Sequence, residues 1–344
     1  MLDINSLIAN ELGLKTWQIE NALALREEGG TLPFIARYRK EKTGELTETH
    51  LRDLFDRNDY LKELEERKLA ILESIDSQGK LTGALRKQIE ECMQKNILED
   101  LYLPYKPKKR TKATIAREKG LEPLAISIKE ANLNNTALNL KSEAEKYIND
   151  ELEVKSIIEA LSGASDILAE ELSEVVDLRN WVREFIGKNG IFVTKIKPEF
   201  EVGSTKFEMY RDFQVQISKV APHQMLAMRR AEGEKILSID LKFEEDDILN
   251  FIEKKQIISN QIDIVDFYAK MIKDSYTRLF KNSLIGELRL DRKVIADIES
   301  VKVFENNVRQ MLLSAPAGMK PTMGIDPGFR TGCKVCALDN TGKY

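Results

Sequence analysis

Seven basic side chains are concentrated between residues 106 and 119. The only acid among them is Glu118, so the segment carries seven positive charges and one negative charge, a net of +6. Clustered cations neutralise phosphates, and the neighbouring Tyr102 and Tyr105 would offer rings for base stacking. The alternative is a solvated loop whose charge serves only solubility, and the residues leave both interpretations open. The candidate nucleic-acid contacts in this segment are Lys106, Lys108, Lys109, Arg110, Lys112 and Arg117.

A second basic group lies near the N-terminus, with four cations around Glu41 and a net charge of +3. On a helix, Arg37 and Lys40 would share one face above Phe34. Intramolecular ion pairs with later acids, such as those at residues 63–66, are the favoured interpretation, and contact with phosphate is the alternative. The candidate nucleic-acid contacts in this group are Arg37, Arg39 and Lys40.

The cysteines and histidines do not form a recognisable metal site. Cys333 and Cys336 make a single CxxC pair, Cys92 is remote, and the only histidines are His50 and His223. A structural zinc ion would lack its other ligands, and residues three apart on a strand point to opposite faces. We therefore expect two packing residues, no metal and no cofactor.

The sequence motifs of several enzyme classes are absent. The chain has no G-x-x-x-x-G-K-[ST] phosphate loop, no G-x-G-x-x-G, no H-E-x-x-H and no G-x-S-x-G. The two histidines are also far apart in sequence, so the sequence does not indicate a Ser-His-Asp triad. We expect a protein that is not an enzyme.

Composition indicates a globular protein. The chain has 344 residues, of which 42% are hydrophobic and 32% charged, with a net charge of −4. The first residues lack the basic region of a secretion signal, and no apolar run reaches the roughly 18 residues of a membrane span. We therefore predict a cytoplasmic protein with no membrane contact.

Residues 1–315 have mainly helical periodicity. Thr47 has the features of an N-cap, which predicts a helix over 47–77 that ends near Gly79. Thr82 is predicted to cap the next helix, which would continue to Pro104.

The second half of this region has a more mixed pattern. Residues 120–188 are predicted to be helical, whereas 191–194, 207–210 and 236–241 are short apolar runs that suit a strand or a helix equally well. Later helices are predicted from two apolar stripes at helical spacing, the first of which must pack against other helices. The stripes are Ile262, Val265, Ala269, Ile272, Tyr276 and Leu279, and then Val301, Phe304, Val308 and Met311.

The last residues predict two strands, 321–326 and 332–338, joined by a tight turn at Pro327-Gly328. Two strands alone bury too little surface to be stable in water. We therefore expect this hairpin to belong to a larger sheet, and the chain to be a fragment.

Several segments resemble one protein family in the same order along the chain. Gly324 to Gly332, GIDPGFRTG, resembles the opening of the YqgF-type, RNase H-like domain of the Tex family, which are bacterial transcription accessory proteins. The other matching segments are 33–41 (PFIARYRKE), 98–111 (LEDLYLPYKPKKRT), 114–118 (TIARE) and 315–318 (APAG).

The resemblance implies a mainly α fold in three parts: a Tex-type helical domain over 1–190, a central helical region with a few short strands over 191–318, and the first hairpin of a truncated RNase H-like domain over 319–344. Asp326 matches the first acidic position of RNase H-like nucleases. Such a site needs several converging carboxylates to hold two magnesium ions, so Asp326 alone is expected to be inactive and to serve the turn.

The resemblance also implies a function as a helical scaffold of a nucleic-acid-binding transcription accessory protein. Its expected partners are RNA or DNA, bound weakly, and RNA polymerase or other transcription machinery. Two alternatives stay open: an inactive fragment of an RNase H-like nuclease or resolvase, and a protein-interaction scaffold.

Overall fold

The structure is a computed structural model that describes residues 3–107, 109–315, 318–328 and 332–344. Helices dominate these residues, as predicted. Their bounds are α1 Ile4–Leu12, α2 Thr16–Glu27, α3 Leu32–Tyr38, α4 Lys40–Thr43, α5 Glu48–Ser77, α6 Gly83–Glu91, α7 Lys95–Tyr102, α8 Lys112–Glu118, α9 Glu122–Asn134, α10 Leu140–Glu145, α11 Ile157–Ser173, α12 Val176–Asn189, α13 Pro222–Gly233, α14 Glu245–Gln256, α15 Ile262–Asp274 and α16 Lys281–Leu312.

The strands are short and form two antiparallel sheets. Their bounds are β1 Ile191–Ile196, β2 Gln214–Gln216, β3 Leu237–Lys242, β4 Thr322–Gly328 and β5 Gly332–Leu338. The chain divides into two compact units, Met1–Asn189 with Phe243–Gly286, and Gly190–Lys242 with Glu287–Tyr344. The three domains predicted from the sequence, 1–190, 191–318 and 319–344, stay a prediction.

The capping residues start their helices where the sequence predicts. The Thr47 hydroxyl accepts a hydrogen bond from the backbone N–H of His50 at 3.2 Å, and the Thr82 hydroxyl accepts one from Leu85 at 3.2 Å. The helix that Thr47 caps, α5, ends at Ser77 before Gly79, whose φ of 66° suits glycine. The helix after Thr82 is shorter than predicted, because α6 ends at Glu91 and a separate helix, α7, follows it.

Helix α5 supplies one wall of two hydrophobic clusters. Its N-terminal half buries Leu51 and Leu54 against α1, α2 and α3, and its C-terminal half buries Ile71 and Ile75 against α6 and α7. This long amphipathic helix thereby holds α3, which carries the start of the second basic group, and α7, which precedes the first basic segment, on one scaffold.

The apolar stripe predicted for α15 is only partly buried. Ile272 and Tyr276 are buried, but Ile262 is 77% exposed, and the buried face also contains Ile264 and Tyr268. The helical path continues through a π-helical segment, Ser275–Phe280, into α16. The extra residue per turn of a π-helix rotates the later side chains relative to the predicted stripe.

The structure shows which of the three short apolar runs, each suited to a strand or a helix, form strands. The three-stranded sheet has the order β2-β1-β3, with Phe192 of β1 opposite Val215 and Leu241. The runs at 191–194 and 236–241 are therefore strand, whereas the run at 207–210 contains a 3-10 turn, Glu208–Tyr210.

The terminal hairpin is confirmed, but Pro327 and Gly328, predicted to form its turn, belong to β4. β4 continues through Pro327 and Gly328, which face Cys333 and Gly332 on β5, and the connecting residues 329–331 lie outside the described residues. A two-stranded sheet tolerates proline because each strand has a free edge that needs no N–H donor. Asp326 therefore lies inside the strand opposite Lys334 and does not initiate the turn.

Candidate nucleic-acid interface

The basic segment at 106–119 follows α7 and a 3-10 turn, Leu103–Tyr105, and continues into α8. Thr111 caps α8 by accepting a hydrogen bond from Thr114 N–H at 3.0 Å, and Ala113 and Ala116 are buried on the side that faces α11. Because small residues occupy the face of α8 that packs against α11, the cations lie on its outer face. The exposed cations of the segment are Lys106, Lys109, Arg110 and Lys112, while Lys108 lies outside the described residues.

Two other cations of this segment have structural roles. The Arg117 guanidinium donates a 2.9 Å hydrogen bond to Glu170, whose side chain is only 10% exposed, and it also pairs with Glu122 at 3.4 Å. The Lys119 ammonium donates to the Glu153 backbone carbonyl at 3.0 Å. Arg117, predicted as a nucleic-acid contact, thus ties α8 to α11. Of the predicted nucleic-acid contacts in this segment, Arg117 is therefore the least available to a phosphate.

The remaining cations are less committed. Arg110 pairs with Glu118 at 2.9 Å, but both side chains are more than half exposed, so a phosphate could displace the carboxylate at small cost. Within the described residues, no carboxylate lies at ion-pair distance from Lys106, Lys109 or Lys112. These three lysines form what we call the lysine face.

The lysine face borders a partly buried carboxylate and a paired one. Burial raises the pKa of Asp166, and the positive charges of Arg278 and Lys112 oppose that shift. A hydrogen bond from Arg67 lowers the pKa of Glu99, with a smaller contribution from Lys106. Each acid has an arginine as its direct ion-pair partner, and the lysines act on it from beyond ion-pair distance.

Of the two tyrosines next to the basic segment, Tyr102 is not available for stacking. Tyr102 is 8% exposed, its hydroxyl lies 2.9 Å from that of Ser74, and the Arg67 guanidinium covers its ring at 5.4 Å. Tyr105 is partly buried against the hydrophobic cluster of α5, α6 and α7 that also contains Tyr102. The expectation that these rings would stack on bases is wrong for Tyr102, because α7 turns it into the core.

The second basic group is exposed on α3, α4 and the residue between them, Arg39. Within the described residues, no carboxylate lies at ion-pair distance from Arg37, Arg39 or Lys40. The favoured interpretation, ion pairs with the acids at 63–66, is therefore wrong. Glu63 pairs instead with Lys95 at 3.8 Å, and Glu65 with Lys68 at 2.7 Å, because α5 presents them to other neighbours.

Two aromatic side chains accompany these cations: Phe34, which the sequence placed beneath Arg37 and Lys40, and Tyr38, which it did not single out. Phe34 is 40% exposed and Tyr38 is 67% exposed, with ring centroids 5.5 Å apart. The Arg39 guanidinium lies 4.9 Å from the centre of the Phe34 ring. We call Phe34, Arg37, Tyr38, Arg39 and Lys40 the aromatic–cation surface. The i, i+4 spacing of Phe34 and Tyr38 is the signal that would have found it.

The structure also contains a buried charge cluster that was not predicted from the sequence. The Asp100 carboxylate accepts hydrogen bonds from Arg179 Nε and Arg183 Nη2, both at 2.6 Å, and all three side chains are less than 10% exposed. This cluster joins α7 to α12. Because its members are buried, it holds the fold together and is no part of the exposed interface.

The terminal hairpin carries no metal site that the described residues reveal. Asp326 is exposed, and no group of three or more histidine, cysteine or acidic side chains is close enough to share an ion in the part of the chain that the structure describes. Cys333 and Cys336 are exposed free thiols, which corrects their expected role as packing residues. Among the described residues, every helix is too short or too polar to cross a bilayer.

The fold and these surfaces define a class: a mainly helical protein with two small antiparallel sheets and exposed cationic faces. Residues 2–76 match the family model of the Tex-like protein N-terminal domain, and residues 135–304 match that of the Tex central region-like family. The chain belongs to the Tex family, as its motifs predicted.

Curated relatives extend this similarity over nearly the whole chain. The transcriptional accessory protein Tex of Neisseria gonorrhoeae is 39% identical over 99% of this chain and 45% of that protein. The uncharacterized protein YdcI of Bacillus subtilis is 38% identical over 98% of this chain and 46% of its own length. The S1 RNA-binding domain-containing protein 1 of Homo sapiens is 27% identical over 99% of this chain and 35% of its own length. The chain thus spans less than half the length of these relatives.

Proposed function

We propose that this chain is the helical platform of a nucleic-acid-binding transcription accessory protein, and that the lysine face contacts phosphates. The observation that carries the proposal is that Lys106, Lys109 and Lys112 are exposed and lack carboxylate partners in the described residues. The names of two relatives, a transcriptional accessory protein and an S1 RNA-binding domain-containing protein, support it.

The chemistry of this face is electrostatic. Three ammonium groups can replace the counterions of a nucleic-acid backbone, so binding would fall steeply with salt and depend little on sequence. The net charge of the chain is −4, so attraction is confined to local surfaces and affinity would be low. The protein would act by binding in the cytoplasm, without catalysis, and would bring RNA or DNA near RNA polymerase or other transcription machinery.

Charge reversal tests this proposal. We expect Lys106→Glu/Lys109→Glu/Lys112→Glu to bind labelled RNA and DNA at least about tenfold more weakly at low salt, and to lower the slope of log affinity against log salt by about two to three. Fluorescence anisotropy with single-stranded and duplex oligonucleotides at low and moderate salt measures both quantities.

A matched control separates local contact from net charge. Lys141→Glu/Lys188→Glu/Lys270→Glu changes the same total charge at exposed lysines of α10, α12 and α15. We expect this control to lose much less affinity. Equal losses in the two variants would contradict a specific lysine face.

A protein-interaction scaffold is the second candidate function. It is favoured by the apolar side chains of α16 that the structure leaves exposed, such as Val301 at 65%, Phe304 at 69% and Met311 at 66%. Unchanged oligonucleotide binding by the lysine-face variant would favour this function over the first.

A further inference from the structure

The aromatic–cation surface has an unusual combination of exposed groups. Tyr38 exposes 67% of its surface and Phe34 exposes 40%, although aromatic rings are normally buried or covered. The partly buried Trp181 shows the usual arrangement, since its ring stacks on Phe251 with the centroids 3.5 Å apart. Nothing in the described residues covers Tyr38 in this way.

This surface is held in a defined arrangement. Ile35 and Ala36 are buried and anchor α3 in the first hydrophobic cluster. Arg39 is held twice, by a 3.0 Å hydrogen bond from its guanidinium to the Tyr38 carbonyl and by its position over the Phe34 ring. The two rings and the guanidinium therefore form one group that needs little ordering when a ligand arrives.

The charges around the rings favour an anion. Arg37, Arg39, Lys40 and Lys42 give four positive charges against one negative charge from Glu41, a net of +3 over residues 37–42. Within the described residues, no acid neutralises Arg37, Arg39 or Lys40 at ion-pair distance. Glu45 and Glu48 line a cavity shared with Arg37 and Lys40, but neither acid lies at ion-pair distance from them.

We propose that this surface binds single-stranded nucleic acid, with a base stacked on Tyr38 and the neighbouring cations on the flanking phosphates. A ring that stacks on a base, beside cations that track the backbone, is the chemistry of single-strand binding. A duplex hides the faces of its bases within the stack, so it can use the cations but not Tyr38. This inference rests on the proposed function, and it adds a second site with its own ligand class.

The test uses the whole chain and two labelled ligands of equal charge and length, an oligothymidylate and an abasic deoxyribose-phosphate oligomer. We expect the wild-type protein to bind the oligothymidylate about tenfold more tightly than the abasic strand, the gain typical of one stacked base. Tyr38→Ser should remove most of this preference and leave duplex binding unchanged. Tyr38→Phe keeps the ring and should retain the preference within about twofold.

Failure of this inference differs from failure of the proposed function. Equal binding of the two strands by the wild-type protein, or an unchanged preference in Tyr38→Ser, overturns the stacking site and would suit an acidic protein partner instead. The loss of affinity in the lysine-face variant would still stand in that case. If no oligonucleotide binds even at low salt, both proposals are wrong. Tyr38 is exposed, so its replacement is not expected to unfold the protein.

Discussion

Asp100→Ala is expected to lower the free energy of unfolding by about 3–5 kcal/mol. The Asp100 carboxylate accepts 2.6 Å hydrogen bonds from both Arg179 and Arg183, and its side chain is 5% exposed. Alanine would leave two buried guanidinium groups short of this anion, where water cannot replace it. Urea denaturation followed by circular dichroism measures the change.

An exposed pair of similar geometry provides the control. Asp59 accepts two hydrogen bonds from Arg26, at 2.8 and 2.9 Å, but the side chains are 50% and 40% exposed. We expect Asp59→Ala to cost about 1 kcal/mol or less, since water replaces the lost partner. If both aspartate variants lose the same stability, burial is not what makes the Asp100 cluster important.

Asn132→Ala is expected to lower the free energy of unfolding by about 2–4 kcal/mol. The buried Asn132 amide donates to the Gln256 carbonyl at 2.8 Å and accepts from the N–H groups of Ile258 and Ser259 at 3.1 and 3.2 Å. Alanine would leave all three backbone groups without this partner. Urea denaturation measures the loss, and amide hydrogen exchange at Ile258 and Ser259 should become faster.

The neighbouring Asn135 gives a matched control. It is exposed, has a φ of 49°, and accepts one hydrogen bond from Asn260 N–H at 2.9 Å. Glycine suits this backbone conformation, so Asn135→Gly should cost less than about 1 kcal/mol. An equal loss of stability in both variants would show that the three buried hydrogen bonds of Asn132 contribute no more than the single exposed one of Asn135.

The local elements of the fold were predictable, because their signals are adjacent in sequence. Thr47 and Thr82 cap the helices that follow them, and the strand at 332–338 has the predicted bounds. The π-helical segment Ser275–Phe280 was not predictable in this way, because its register depends on packing such as the 2.6 Å hydrogen bond from Ser275 to the Ala169 carbonyl.

The candidate site was predictable only as a set of residue types. The run of cations at 106–112 is visible in the sequence, but the role of Arg117 depends on Glu170, 53 residues away. Tyr102 and Tyr38 are both tyrosines beside basic residues, yet the first is 8% exposed and the second 67%. The difference arises because the packing of α5 against its neighbours turns one ring inward and leaves the other outside.

Family membership, helical class, capped helix starts and the location of positive charge thus follow from the order of residues alone, since each is visible in short runs of adjacent residues. Which cations are committed to ion pairs, which rings are exposed and where Asp100 finds its arginines depend on contacts between distant residues. Burial and charge pairing are set by those contacts, and they emerge only once the chain has folded.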